Sequence, residues 1–123
     1  MKKIAMMICG EVSKKCTSNG CFRAFNDKIE GFSMYSEEDV LISAINTCSG
    51  CNEEPLENLK VKIEKMKKAE IDVVHLSTCI RGRCELYGDF ARELSLYFDV
   101  RGYTHGSKDG KKGNTINIIR SEV

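Results

Sequence analysis

Cysteine is the residue type with the widest chemistry in this sequence, and the chain has seven of them. Thiolates act as nucleophiles, redox partners and ligands for soft metals, and their spacing indicates which role is available. The shortest spacing is in Cys48-Ser49-Gly50-Cys51, a C-x2-C pair whose two sulfurs can reach one metal ion. Gly50 permits the tight backbone turn between them. The odd number of thiols disfavours a fully paired disulfide framework. In a reducing cytosol, a cysteine cluster is more often metal-binding or catalytic than structural.

The other cysteines are more loosely spaced. Cys16 and Cys21 are separated by four residues, as are Cys79 and Cys84, and Cys9 precedes the first pair. Each of them, taken alone, is equally well explained as a small buried apolar side chain. They become candidate metal ligands only if the fold brings them together.

Two histidines and two arginines lie near these cysteines. His75 belongs to a predicted strand, about 13 Å from Cys79 at the usual rise per residue, so we interpret it as a core histidine with a hydrogen-bond partner. His105 follows the last predicted strand and is a candidate ligand. Arg81 and Arg83 are either part of an anion site before a helix or simply solvated, and we favour solvation.

Apolar periodicity predicts strands and helices in alternation. Strands are predicted over residues 3–8, 40–46, 71–77 and 100–104. Helical stripes are formed by Phe22, Phe25 and Ile29, by Leu56, Leu59, Ile63 and Met66, and by Leu86, Phe90, Leu94 and Tyr97. Gly31 is placed to end the first helix, and Pro55 belongs in the first turn of the second.

This order predicts an α/β protein: a three-layer α/β/α sandwich with a mostly parallel, doubly wound sheet of four or five strands, Rossmann- or flavodoxin-like. Residues 1–106 are predicted to form this domain, and residues 107–123 a basic tail or an additional edge strand. The predicted loops after the strands contain all seven cysteines. Because ligands bind at the carboxyl edge of such sheets, we predict a thiolate cluster there. The positive end of the helix near Pro55 favours thiolate at Cys51.

Charge and length exclude several classes of function. The 19 Lys and Arg residues balance the 18 Asp and Glu residues, so nothing favours nucleic acid or an anionic membrane as partner. The apolar stretch at the N-terminus is too short for a signal peptide, and no run could span a bilayer. We therefore expect a single cytoplasmic domain, in a compartment where clustered thiols stay reduced.

Four stretches carry a family resemblance: "ICGEVSKKCTSNGCFRAF", "NTCSGC", "VVHLSTCI" and "GYTHG". Through them the chain resembles the CGGC domain family over about residues 3–106. These are small cysteine-rich proteins of bacteria and archaea, with a proposed role in metal binding. Ser49 stands where the family signature has a glycine, and Glu85-Leu86 where a Pro-His pair is expected after the last cysteine. The resemblance implies Cys9, Cys48, Cys51 and Cys79 as the first ligands.

The resulting hypothesis is a metal-binding protein that uses zinc or an iron–sulfur cluster, with Cys16, Cys21, Cys84 and His105 as further candidate ligands. The main alternative is a cytoplasmic dithiol oxidoreductase that uses the C-x2-C pair. A third class is a non-enzymatic scaffold with a structural metal. A thioredoxin fold is not expected, because Pro55 is the only proline and follows the motif itself. A C-x5-R phosphatase loop is excluded, since Lys15 and Glu85 occupy the arginine position after Cys9 and Cys79. No substrate or protein partner is predicted.

Overall fold

A five-stranded sheet in the order β2-β1-β3-β4-β5 organises the molecule, which we describe from a computed structural model over residues 1–120. The strands are β1 (Lys2–Ile8), β2 (Val40–Thr47), β3 (Val73–Leu76), β4 (Asp99–Arg101) and β5 (Asn117–Ile118). The helices are α1 (Asn19–Asp27), α2 (Pro55–Lys68), α3 (Thr78–Arg83) and α4 (Tyr87–Ser95), with 3-10 helices at Val12–Lys14 and Glu30–Tyr35. The first four strands are parallel and β5 is antiparallel to β4. The predicted α/β class and mostly parallel sheet are confirmed.

Helices cover both faces of the sheet. On the α2 face, Ala5, Met7 and Leu76 pack against α2 and α4. On the opposite face, the α1 face, Ile4 and Met6 pack against α1 and the second 3-10 helix. Burial on both faces is why the parallel strands are continuous apolar runs. Each fully buried aliphatic or aromatic side chain contributes about 1.5–3 kcal/mol.

Strand β2 lies at an uncovered edge and contains a bulge. Ile4 of β1 pairs with Ile42, but the next residue, Ala5, pairs with Ala44, so Ser43 is an extra residue. Leu41 and Ile45 are among the exposed apolar side chains of the chain. A bulge of this kind makes the open edge less able to pair with a strand of another molecule.

The third connection differs from the sequence prediction. The stretch from Cys79 to Cys84 was predicted to be a loop, but it forms the short helix α3, with Cys84 directly after its last residue. Ile80, which is completely buried on the α2 face, anchors this helix. A six-residue helix has no periodic pattern long enough to be recognised, so tertiary contacts such as this one explain it.

Two predicted boundaries also shift. The first helix ends at Asp27, and Lys28 follows in the left-handed conformation with φ of 54°. Gly31 lies beyond the helix and permits close packing, since a Cβ there would stand 2.6 Å from the carbonyl oxygen of Tyr103. The fourth strand ends at Arg101. The next residue, Gly102, packs so closely against other parts of the chain that a side chain would not fit there.

The segment after the fourth strand returns to the sheet. Asn117–Ile118 pairs with Val100 and Arg101 as the antiparallel edge strand β5. Residues 121–123 of the predicted tail lie outside the described residues. Within the described part of the chain, no helix is long and apolar enough to cross a membrane.

His75 is completely buried on the α1 face, which confirms its interpretation as a core histidine. Its Nδ1–H donates to the carbonyl oxygen of Tyr103 at 3.2 Å, and its Nε2 therefore accepts from the hydroxyl of Tyr35 at 2.9 Å. The ring also stacks on Phe32 at a centroid distance of 4.3 Å. Burial lowers the pKa of His75 to about 3; the Tyr103 carbonyl opposes this shift and the charge of Arg101 adds to it.

Candidate functional site

The cysteines lie at the carboxyl edge of the sheet, but they divide into two groups. Cys48, Cys51 and Cys84 line one cleft of about 420 Å³, which we call the thiol cleft. Its other lining residues are Pro55, Leu86 and Phe90, which are apolar, and the charged Arg83 and Glu85. The second thiol group consists of Cys16, Cys21 and Cys79, since the sulfurs of Cys16 and Cys79 are close enough to affect the pKa of Cys21. Cys79 also packs against the apolar cluster that contains Cys9.

The loop after β1 packs against the turn that contains the C-x2-C pair. The backbone N–H of Gly10 donates to the sulfur of Cys48 at 3.1 Å. A Cβ at Gly10 would lie 2.5 Å from the backbone nitrogen of Gly50, so the two loops touch through their backbones. Cys9 and Cys48 are each only 4% exposed and belong to the same apolar cluster. Cys9 therefore lies directly beside the C-x2-C pair.

The C-x2-C turn itself has an unusual backbone. Ser49 has φ of 75° and Gly50 has φ of 103°, and both values lie in the region that favours glycine. The backbone N–H of Ser49 donates to the hydroxyl of Thr47 at 3.1 Å. Cys48 points into the core, whereas Cys51 is exposed. The left-handed conformation gives a physical reason for the glycine that the family signature has in place of Ser49.

Substitutions at Ser49 test this reading. Alanine and glycine both remove the Ser49 hydroxyl, which accepts a hydrogen bond from Lys62 at 2.9 Å. Only glycine relieves the left-handed strain, which amounts to about 1 kcal/mol for an L-residue. We therefore expect Ser49→Gly to be more stable than Ser49→Ala by about 1 kcal/mol in urea unfolding. Equal midpoints for the two variants would contradict the strain.

Lys62 of α2 stabilises this turn through two hydrogen bonds. Its ammonium group donates to the carbonyl oxygen of Thr47 and to the hydroxyl of Ser49, on either side of Cys48. Burial lowers the pKa of Lys62, and the proximity of Cys48 opposes the shift. The role of Lys62 could not be predicted from the sequence, because it is one of several lysines that lie outside the apolar stripe of the helix and are expected to be solvated.

Cys84 forms the opposite wall of the cleft. It caps the end of α3, and its sulfur accepts a hydrogen bond from the backbone N–H of Leu86 at 3.4 Å. Burial raises the pKa of the Cys84 thiol; the Leu86 N–H opposes the shift, and the sulfurs of Cys48, Cys51 and Cys9 add to it. The sulfurs of Cys48, Cys51 and Cys9 are therefore each within electrostatic reach of Cys84.

The second thiol group lies towards α1. The sulfur of Cys21 is buried and 3.1 Å from the hydroxyl oxygen of Thr104, and burial raises the pKa of this thiol. The sulfur of Cys79 lies 2.8 Å from the hydroxyl of Ser77. Cys16 is exposed. The structure thus places Cys79 outside the residues that line the thiol cleft.

His105, Arg81 and Arg83 lie in three different environments. A Cβ on Gly20 of α1 would be 3.4 Å from the His105 ring, so His105 lies beside the second thiol group. Arg83 is exposed at the thiol cleft. Arg81, for which we favoured solvation, is instead buried and bound by backbone carbonyls of residues 107 and 108. The solvated interpretation is therefore wrong for Arg81.

Comparison with known proteins then decides the family. A family model described as the CGGC domain matches residues 3–105, most of the chain. The chain belongs to the CGGC domain family. CGGC domains are cysteine-rich, and the function ascribed to them is metal binding. No curated protein and no solved structure matches this CGGC domain significantly.

The donors in this CGGC domain fit a soft metal in type but are not arranged around an ion. Thiolates at one sheet edge are suitable ligands for zinc, copper(I) or iron–sulfur clusters. Within residues 1–120, however, no three Cys, His, Asp or Glu side chains stand close enough together to hold a metal ion. A CGGC domain with this geometry must draw its thiols together in order to bind one.

Proposed function

We propose that this CGGC domain binds a soft metal ion in the thiol cleft, through Cys48, Cys51 and Cys84, with the adjacent Cys9 as a fourth thiol. The observation that carries the proposal is the cleft itself: two connections distant in the sequence deliver three thiols to one apolar pocket. Once the cleft closes, its apolar walls would exclude water and strengthen charge interactions between thiolates and a cation.

Positive charges lie close to the thiols of the cleft, where burial raises the pKa of Cys84 and stable thiolate therefore needs a cation beside it. Helix α2 runs for 14 residues from Pro55, and Pro55 lines the same cleft as Cys48 and Cys51, so the positive end of the helix lies near the C-x2-C turn. The ammonium of Lys62 and the guanidinium of Arg83 add positive charge beside Cys48 and around the cleft. Metal ligation requires thiolate, so this environment supports the proposal.

Closure of the cleft is the step that binding requires. Cys48 is anchored by the Gly10 N–H and by the turn that Lys62 fixes, whereas Cys51 is exposed on the same turn. The mobile partner in closure is therefore Cys51, which moves towards Cys48 and Cys84. Metal binding should reduce the exposure of Cys51 more than that of the other two thiols.

The identity of the metal follows from one purification. Zinc would be held by four thiolates in a closed tetrahedral site, or by three thiolates with a position left for water. An iron–sulfur cluster also needs about four cysteines. Anaerobic purification, elemental analysis and a visible spectrum distinguish colourless zinc protein from brown protein with iron and sulfide. The proposed cytoplasmic location would keep the thiols reduced and available.

Single cysteine substitutions test which thiols bind. Cys48→Ser and Cys84→Ser are each expected to weaken cadmium or zinc binding at least about 100-fold, because each removes a ligand. Cadmium titration, followed through its ultraviolet thiolate absorption, measures the affinity. Cys16→Ser is the matched control, since Cys16 is exposed and outside the cleft. Strong loss in Cys79→Ser with none in Cys84→Ser would favour the set implied by the resemblance and contradict the cleft.

The exposed and buried thiols of the C-x2-C pair favour a second candidate, a dithiol oxidoreductase. The thiolate of Cys51 would attack a substrate disulfide, and Cys48 would then displace the reduced substrate thiol, leaving a Cys48–Cys51 disulfide. Equilibration in thiol redox buffers, followed by mass spectrometry, tests this. A reversible disulfide between these two residues in metal-free protein supports it, and a Cys84→Ser variant with unchanged redox behaviour separates it from metal binding.

A further inference from the structure

The segment that follows the family match folds back onto α3, the helix that ends beside Cys84. The match ends at residue 105, and the next ten residues run over the buried guanidinium of Arg81. Arg81 is only 5% exposed, which is unusual for arginine and requires that its charge be satisfied by nearby groups.

Three acceptors from this segment bind one nitrogen of Arg81. Its Nη1 donates to the carbonyl oxygens of Ser107 at 3.0 Å and Lys108 at 3.3 Å, and to the hydroxyl of Thr115 at 3.0 Å. The guanidinium also stacks over the ring of Tyr103, 4.9 Å from its centroid. A Cβ at Gly110 would meet the guanidinium at 2.9 Å, so the segment lies directly against it.

The attachment is reciprocal and continues to α4. The side-chain amide of Asn114 donates to the carbonyl oxygen of Arg81 at 3.1 Å. The backbone N–H of Ile116 donates to the hydroxyl of Tyr87 at 3.0 Å, and that hydroxyl donates to the carbonyl oxygen of Gly102 at 2.8 Å. Bonds to both helices fix the segment across the junction of α3 and α4, where Cys84 lies.

Helix α3 needs such support because it is short. Its six residues are too few for an isolated helix in water, and the side chain of Ser77, its N-cap, makes no capping bond. At the start of α3, Thr78 forms hydrogen bonds with Thr104 and His105. Further along the helix, the buried Ile80 and the contacts of Arg81 hold α3 against the rest of the protein. The position of Cys84, directly after α3, depends on them.

We propose that residues 106–116 act as a clasp on Arg81, and that Arg81 is a positioning residue for the thiol cleft: the clasp holds α3 so that Cys84 faces the C-x2-C pair. This inference rests on the proposed metal binding for its functional consequence. Arg81 itself touches no thiol in the cleft and acts through α3.

Thiol labelling of metal-free protein tests the clasp without relying on metal. Arg81→Met removes all three hydrogen bonds, and Arg92→Met, an exposed arginine of α4, is the matched control. We expect Arg81→Met to raise the maleimide labelling rate of Cys84 about 10-fold over the control, through local opening of α3. The buried Cys21 of the second thiol group is the internal reference and should stay slow. Peptide mapping by mass spectrometry resolves the individual cysteines.

A milder variant keeps the test valid if Arg81→Met does not fold. Thr115→Val removes only one acceptor and should raise Cys84 labelling about 2- to 3-fold at unchanged Cys21 labelling. Cadmium affinity should fall in the same order, about 10-fold or more for Arg81→Met. Equal Cys84 labelling in Thr115→Val and the control, or equal acceleration of Cys84 and Cys21, would overturn the clasp. Altered labelling in a protein that binds no cadmium would keep the clasp and reject the metal proposal.

Discussion

Replacing Gly10 with alanine is expected to lower the free energy of unfolding by about 3 kcal/mol and to prevent metal binding in the thiol cleft. The added Cβ would stand 2.5 Å from the nitrogen and 2.9 Å from the Cα of Gly50, and backbone atoms cannot move aside as a flexible side chain can. Relief of the clash must separate the first loop from the C-x2-C turn. That separation breaks the hydrogen bond from Gly10 to the sulfur of Cys48.

Gly82→Ala provides the matched control. Gly82 lies in α3, and a Cβ there would meet no atom within 4 Å, so this variant should be neutral or slightly stabilising. Guanidinium unfolding gives the stability difference, and cadmium titration gives the affinity. A Gly10→Ala protein that unfolds like the Gly82→Ala protein and binds cadmium normally would refute the close contact between the loops.

His75 is expected to cause the largest pH dependence of stability. Its pKa is lowered from 6.5 to about 3 in the folded protein, so the unfolded chain binds a proton at a pH where the folded protein does not. The stabilisation is therefore complete above pH 6.5 and is lost as the pH falls towards 3. The shift corresponds to about 4 kcal/mol over that interval.

Substitution separates this contribution from that of the carboxylates. His75→Gln lowers stability at neutral pH, because the hydrogen bonds to Tyr35 and Tyr103 are disturbed, but its stability should decline much less between pH 6.5 and 4. His105→Gln, which changes the half-buried histidine, should retain the decline of the original protein. Urea unfolding at a series of pH values measures all three. Parallel curves for His75→Gln and the original protein would contradict the burial of a neutral imidazole.

The sheet could be predicted from the sequence because parallel strands buried on both faces are continuous apolar runs. Residues 3–8 and 40–46 correspond closely to β1 and β2, and Pro55 begins α2 as expected. The same logic places the cysteines at the carboxyl edge, since every loop after a parallel strand ends there. The neutral, hydrogen-bonded His75 followed from its position inside a strand.

The division of the thiols could not be predicted, because it depends on tertiary contacts. From their spacing, Cys79 and Cys84 were equally good candidate ligands. Helix α3 separates them, however, so of the two only Cys84 lines the thiol cleft. The structure of α3 is set by Ile80 in the core and by the clasp on Arg81, whose partners lie about 30 positions further along the chain. No local pattern in the sequence encodes such contacts.

The extra residue at Ser43 decides on which side of the sheet the second loop delivers its sulfur. Ile42, before it, contributes to the apolar cluster beneath α1, whereas Ala44 and Cys48, after it, contribute to the cluster beneath α2. Side chains alternate strictly along a strand, so if Ser43 were an ordinary paired residue instead of a bulge, every later position would be inverted. Cys48 would then turn away from Cys9 and Cys84. A one-residue insertion in an otherwise ordinary edge strand thus sets the face to which the second loop delivers Cys48, and a homologue with a regular strand of the same length would deliver that sulfur to the opposite layer.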